Sequence, residues 1–286
     1  MSKDYVVLLG TKGGPSTRPG ASKPTSNLYV LDDKKIVVDC GMGVIQGLVG
    51  QGMHLKDLSL IFITHLHADH YLELGPLIHT AWTSGLKTPV DIWGPAGLSA
   101  YWENFVASMR ADIDLRIADD GRMDIRQLVR IHAVDAGEVM ARDGLAVHAM
   151  RTDHPPMSDC FAYSFRTAHT HVVCSGDTAP LPAMADFAHG ADLLVHEAML
   201  IEALPSLMKR VGDTTGRLKQ RLLRVHTPAA DAAAIAAQAG VKRLALSHLI
   251  PSDDPEFTDA DWQGAVADHW TGPLFVGHDG LRIDLT

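Results

Sequence analysis

Leu58-Ser59-Leu60-Ile61-Phe62-Ile63-Thr64-His65-Leu66-His67-Ala68-Asp69-His70 is the stretch whose reading decides this chain. Its first half is a run of β-prone apolar residues, Leu58 to Ile63, that suits a buried strand. Its second half places three histidines and an aspartate where that strand stops. Neutral imidazole and carboxylate are the usual nitrogen and oxygen donors to zinc and similar ions. His65 and His67 alternate by two, so an extended backbone points them the same way. Asp69 and His70 are adjacent and point differently, so they suit a second ion close by. The competing reading is a polar loop whose histidines do nothing.

Composition sets the frame. A length of 286 residues is long for one average domain but ordinary for a large two-layered α/β unit, and we expect a single domain over residues 1–286. Hydrophobic residues make up 46% of the chain, ample for a sizeable core. There is no apolar run long enough for a transmembrane helix. Met1-Ser2-Lys3-Asp4 leads straight into strand-like Tyr5 to Leu9, without the apolar core and cleavage site of a signal peptide. The three cysteines, Cys40, Cys160 and Cys174, suggest no disulfide framework, and a reducing, cytoplasmic location is expected. The net charge of −9 argues against a polyanionic partner, because nucleic-acid binding depends on Lys and Arg neutralising phosphates.

Strand-like runs alternate with helical ones along both halves. Tyr5 to Leu9, Leu28 to Leu31, Ile36 to Val38 and Val90 to Trp93 read as strands. So do Leu145 to Met150, Phe161 to Phe165, Val172 to Cys174, Leu193 to Val195 and Arg243 to Leu246. Val44 to Gln51, Tyr71 to Ser84 and Gly94-Pro95 through Met109 read as helices, as do Asp259 to His269 and Pro228 to Ala239, with Gly240 as the stop of the last. Such a pattern suits an α/β sandwich of two related layers, each with its sheet inside and its helices outside.

The pattern His-x-His-x-Asp-His at 65–70 resembles the signature of the metallo-β-lactamase superfamily, and later pieces extend the likeness from about Val6 to about Leu285. His154 in Thr152-Asp153-His154-Pro155, Asp177 in Ser175-Gly176-Asp177-Thr178 and His248 in Leu246-Ser247-His248-Leu249 stand where that superfamily carries further ligands. His196-Glu197-Ala198, His226-Thr227-Pro228-Ala229, Leu8-Leu9-Gly10-Thr11 and Val38-Asp39-Cys40-Gly41 resemble its ribonuclease Z and arylsulfatase branch. The resemblance implies a four-layer αββα sandwich, the metallo-β-lactamase fold. It implies that His65, His67 and His154 hold one divalent ion, Asp69, His70 and His248 a second, and that Asp177 bridges them. Donors of this kind suit zinc, with manganese and iron compatible. Two such ions about 3.5–4 Å apart share a water and present hydroxide as nucleophile.

His226 is not among those seven ligands. We read it as stabilising the transition state or protonating the leaving group, with Glu197 holding a tautomer by hydrogen bond. With the ligand set the resemblance implies, Asp69 is also read as orienting the nucleophile through its free oxygen. His79, His169, His171, His196 and Cys174 read as structural or exposed; His278-Asp279-Gly280 reads as a turn. His54, His132, His148, His189 and His269 have no companions. The loop Gly10 to Thr25 is a weak candidate for cradling phosphate. Leu200 to Val225 is either a basic lid or partner helix near the cleft or, the reading preferred, an amphipathic surface helix with a solvated charged face. It is also where a homo-oligomer contact would be sought.

Ribonuclease Z enzymes of this kind often carry a long flexible arm for tRNA. In many bacterial members it falls between the third His motif and the Gly-Asp-Thr motif. Here that interval, Pro155 to Gly176, is filled by two expected strands. The expectation is therefore a binuclear metal hydrolase of small-molecule esters: a phosphodiester, an aryl sulfate or a lactone. The alternatives are a tRNA 3′-processing endonuclease and a non-catalytic metal- or ligand-binding protein.

Overall fold

The computed structural model describes residues 4–285. The lead-in Met1 to Lys3 and the last residue of the expected domain, Thr286, lie outside the described residues. Strands β1 (Tyr5–Gly10), β2 (Ser26–Leu31), β3 (Lys34–Cys40), β4 (Leu60–Phe62), β5 (Val90–Gly94) and β6 (Val129–Ala133) build the first sheet. Strands β7 (Gly137–Arg142), β8 (Leu145–Arg151), β9 (Phe161–Arg166), β10 (His171–Cys174), β11 (Leu193–Met199), β12 (Leu244–Ile250) and β13 (Leu274–Val276) build the second. The last strand, β14 (Leu281–Asp284), returns to pair with β1, so the orders are β14-β1-β2-β3-β4-β5-β6 and β7-β8-β9-β10-β11-β12-β13.

Read in these orders the two sheets have the same plan. The first four strands of each are antiparallel neighbours, and the last four run parallel. The inner parallel strands β4, β5, β10, β11 and β12 are buried on both faces, which is why they read as largely continuous apolar runs. Between the sheets lies an aromatic centre. The Phe62 ring stacks on Trp93 at 4.9 Å and meets Phe165 edge-on at 5.1 Å, while Tyr29 meets Phe165 edge-on at 5.3 Å.

Helices cover both outer faces, completing αββα. Helices α1 (Val44–Gly50), α2 (Ala68–Tyr71), α3 (Leu74–Thr83), α4 (Leu98–Ser108) and α5 (Arg110–Asp120) belong to the first half, and Leu48, Leu77, Ile78, Trp102 and Ile113 seal its outer core. Helices α6 (Ala183–Phe187), α7 (Leu204–Val211), α8 (Arg217–Val225), α9 (Ala229–Ala239) and α10 (Asp259–Val266) belong to the second. The alanines of α9 let it lie close on β11 and β12, and Gly240 ends it in the left-handed conformation. No helix among the described residues is long and apolar enough to cross a membrane.

Several boundaries differ from expectation. The helix expected over Tyr71 to Ser84 breaks at Leu72-Glu73, because the Glu73 carboxylate turns back to accept the Gly43 and Ile45 amides at the start of α1. Gly94 belongs to β5, paired with Ala133, so the helix expected from Gly94-Pro95 starts at Leu98. Helix α5 was not foreseen: only Ile113 of its residues is buried, too thin an apolar stripe to stand out. Strands β6, β7, β13 and β14 were also not foreseen; they lie at or next to sheet edges and are only partly buried. Leu200 to Val225 is not one surface helix. It folds back as α7 and α8, and Leu204, Leu207 and Met208 pack on Met199 and Ile250.

Because Phe62 is fully buried where the two sheets meet, Phe62→Ala should destabilise the protein by about 3–5 kcal/mol. Urea denaturation followed by circular dichroism measures this.

Candidate metal centre

The site lies beyond the C-terminal ends of the central strands of both sheets, where α/β folds commonly hold ligands. Chain leaving β4 passes Thr64, whose amide and hydroxyl donate to Asp39 at the end of β3, at 2.8 and 2.9 Å. The same carboxylate meets His70 Nδ1 at 2.8 Å. Asp39 thereby fixes both ends of the loop from Thr64 to His70 and leaves His70 Nε2 facing inward. A ligating histidine commonly shows this arrangement, its far nitrogen held by a carboxylate.

Three ring nitrogens converge on the first side. His67 Nδ1 lies 2.9 Å from His65 Nε2 and 3.1 Å from His154 Nε2. His154 follows β8, and the Val225 carbonyl, at the C-terminal end of α8, accepts from its Nδ1 at 2.9 Å. On the second side Asp69 Oδ2 lies 3.3 Å from His248 Nε2 and 3.6 Å from His70 Nε2. Asp177 stands between. Its Oδ2 is 3.7 Å from His65, 3.8 Å from His154 and 3.1 Å from His248, and its Oδ1 is 3.4 Å from His70. The structure thus brings all seven ligand candidates together, in the two expected groups.

Two backbone devices aim these side chains. In the pairing of β11 with β12, Glu197 faces Ser247 and Ala198 faces Leu249, so His248 is the extra residue of a β-bulge, with φ of 46°. A bulge re-aims a side chain next to an active site, and here it turns the His248 ring out of the strand. Gly13 leaves room for that ring: a Cβ there would lie 2.9 Å from His248 Cε1. The adjacent Gly14 amide donates to Asp69 Oδ2 at 2.7 Å. The Gly10 to Thr25 loop, weighed as a phosphate cradle, thus gives the Gly14 amide to the carboxylate of a candidate ligand, Asp69.

The residues fit divalent cation binding. His70 Nε2 and Asp177 Oδ1 are buried with no hydrogen-bond partner, although both are aimed into the cluster. Burial, then the charge of His70, holds the His65 imidazole well below its usual range. Burial and His154 bring His67 down to about 4, and burial lowers His154. These rings are neutral donors. Burial opposes charge on His70, yet Asp177, Asp39 and Asp69 outweigh it and hold that ring's pKa well up. Asp177 stays ionised despite its burial because His248, His70 and His65 surround it. Neutral imidazoles beside two ionised carboxylates, with positive charge demanded between them, are the donor set of a nitrogen/oxygen divalent site.

His226 lies between α8 and α9, buried, with its Nδ1 2.9 Å from Glu197 Oε2. Its ring centre is 5.0 Å from that of His154 and 5.3 Å from that of His248. Burial and the nearby Asp177 charge push Glu197 well above the usual carboxylate range, and burial lowers His226. The other Glu197 oxygen accepts from the Thr178 amide next to Asp177.

Other histidines differ in part from their reading. His171, expected exposed, is buried on β10 and bonded to Ser164 Oγ at 2.9 Å, because the strand pairing turns it inward. His132, expected without a companion, meets Asp91 at 2.8 Å. His169 is exposed, while His196 is buried on β11 against the Glu197 carbonyl. Asp279 in its turn accepts from the Thr11 and Lys23 amides and so pins the Gly10 to Thr25 loop. The cysteines are free and buried. Asp39, Thr64 and Gly14 were assigned no site role from sequence. For Asp39 the usable signal was its place at a strand end.

Comparison with known proteins places the chain among relatives of the same fold. The family model described as anti-Pycsar protein Apyc1 matches residues 6–243. Ribonuclease Z of Mycobacterium bovis (strain BCG / Pasteur 1173P2) is 31% identical over 284 residues, 98% of each chain. That of Mycolicibacterium gilvum (strain PYR-GCK) is 32% identical over 286 residues, 98% of this chain and 96% of the other. Among solved structures, the metallo-β-lactamase fold protein YhfI from Bacillus subtilis aligns with a TM-score of 0.71 at 20% identity, covering 99% of this chain and 100% of that one. The short form of human tRNase Z aligns at 0.69 and 20% identity, covering 99% of both.

Asp177 faces both ligand groups, so Asp177→Ala should lose at least one bound ion, read by elemental analysis of protein purified with zinc. Two tightly held ions in that variant would contradict the geometry. Removing metal with a chelator should lower the melting temperature and adding zinc back should restore it, with about 4 kcal/mol of stabilisation at a thousandfold excess over Kd.

Proposed function

The chain belongs to the Apyc1 family and, with its ribonuclease Z relatives, to the metallo-β-lactamase superfamily, and from that premise we propose that it is a metal-dependent hydrolase of small phosphodiesters. The observation that carries the reading is Asp177 facing two groups of ligand side chains, with the Glu197–His226 pair beside them. His65, His67 and His154 would hold one ion, Asp69, His70 and His248 the other, and Asp177 both. Divalent ions at such a site, zinc first and manganese or iron compatible, supply Lewis acidity and water activated at neutral pH.

The remaining steps fall to the chain's own groups. Asp69, with Oδ2 held by the Gly14 amide, keeps its other oxygen to orient the attacking water and accept its proton. As the new P–O bond forms and the ester P–O bond breaks, the leaving oxygen takes a proton from His226 Nε2. Glu197 makes this workable. Held well up by burial, it shares a proton with His226 Nδ1 and keeps the far nitrogen of that ring as the donor.

A phosphodiester is favoured over an aryl sulfate or a lactone because relatives over 98% of the chain carry the name ribonuclease, and nuclease chemistry is phosphodiester cleavage. A small substrate is favoured because β9 and β10 take up the interval after His154, leaving no long arm there, and because the net charge is −9. The second reading, a tRNA 3′-processing endonuclease, draws on the same relatives' name. Neither reading uses a non-catalytic role. Both take residues 1–286 as one unit.

Zinc-loaded protein should cleave bis(p-nitrophenyl) phosphate and leave a tRNA precursor uncut; efficient cleavage at a 3′ trailer would favour the second reading instead. His226→Ala should keep both ions and lose roughly 10²–10⁴ in kcat. A drop in metal content would instead make His226 a ligand. Glu197→Gln should lower kcat with little change in KM.

A further inference from the structure

The hairpin of α7 and α8 carries six basic residues, and one of them reaches the ligand cluster. Val225 is tied to His154 through its carbonyl. Arg221 lies four residues earlier on the same helix face, so the contact at Val225 swings its guanidinium over His67. The Arg221 terminal nitrogen is 3.4 Å from His67 Nε2.

That approach cannot be a hydrogen bond once His67 serves as a ligand. The ring presents Nδ1 to His65 and His154. A neutral imidazole using Nδ1 as donor to a cation carries its proton on Nε2. The guanidinium then faces another N–H and has no acceptor. Among the described residues no carboxylate lies within ion-pair distance of Arg221, whereas Arg18 and Arg210 near the cleft are both taken by Asp253. A planar cation with free donors, held beside the reaction centre, is suited to two oxygens of one anion.

We propose that Arg221 is the anion-binding residue of this site, taking the non-bridging oxygens of the substrate phosphate and so selecting anionic esters over neutral ones. The inference rests on the phosphodiester reading for its substrate but can be tested apart from it. Inorganic phosphate is titrated into the zinc-loaded wild-type protein, R221Q, R221K and R224Q by calorimetry, with zinc content measured on each. Arg224 is the control, exposed on the same helix and without a contact to the ligand cluster.

Loss of one charge-assisted pair should weaken phosphate binding at least about tenfold in R221Q. R221K should keep part of the affinity, and R224Q should match wild type. Zinc content should be the same in all four. With bis(p-nitrophenyl) phosphate, R221Q should raise KM by a similar factor and change kcat little. The proposal is overturned if wild type binds no phosphate, if R221Q binds it as tightly, if R224Q loses as much, or if R221Q loses zinc. Phosphate binding that depends on Arg221 in a protein that cleaves no phosphodiester would instead sink the proposed function and leave Arg221 standing.

Discussion

One buried carboxylate organises this molecule. Asp177 sends Oδ1 toward His70 and Oδ2 toward His65, His154 and His248, and it is almost wholly shut off from water. An ionised carboxylate in such a place is tolerated only where opposite charge and hydrogen-bonding groups surround it. Both sheets meet that demand together. The first brings His65 and His70 from the end of β4, and the second brings Asp177, His154 and His248 from the ends of β10, β8 and β12. Neither sheet alone can make the site, because each candidate group draws residues from both, and the two sheets meet at an aromatic contact centred on Phe62 and Phe165.

Around that carboxylate the chain spends irregular backbone with purpose. His248 sits in a left-handed conformation within a bulge, and Asp39 has a positive φ as well. Both would be costly in an ordinary strand. Here each aims a side chain that a regular pleat would point elsewhere. Beside them Glu197, its pKa raised by burial and by the Asp177 charge, lies 2.9 Å from His226 Nδ1. The protein is acidic as a whole, while Arg221, with no carboxylate within ion-pair distance among the described residues, approaches His67 at 3.4 Å.

The convergence of the candidate ligand residues was legible in the sequence because each follows or interrupts an apolar strand, and strand ends in an α/β sandwich gather at one edge. The expected strands from Tyr5 to Leu246 stand where they were read, though β12 runs on through His248 to Ile250. The edge strands β6, β7, β13 and β14 were missed for a physical reason: half-buried strands are short and mixed in composition, so period and apolarity both fade. Leu200 to Val225 keeps the expected exposed basic face but divides into α7 and α8, with Leu204, Leu207 and Met208 packed on Met199 and Ile250. Its charged face is real, but whether such a face meets solvent or a site depends on where the helix docks.

By itself the sequence determined the alternation of strands and helices, the identity of the metal-type side chains and the order in which they occur, because these follow from local pattern and donor chemistry. Only the tertiary structure decided which oxygen of Asp177 faces which group, that Asp39 holds His70, that a bulge turns His248 inward, and that Arg221 lies over His67. Those are contacts between residues far apart in the chain. They are set by the packing of two sheets and by the docking of a helix hairpin, which no local pattern encodes.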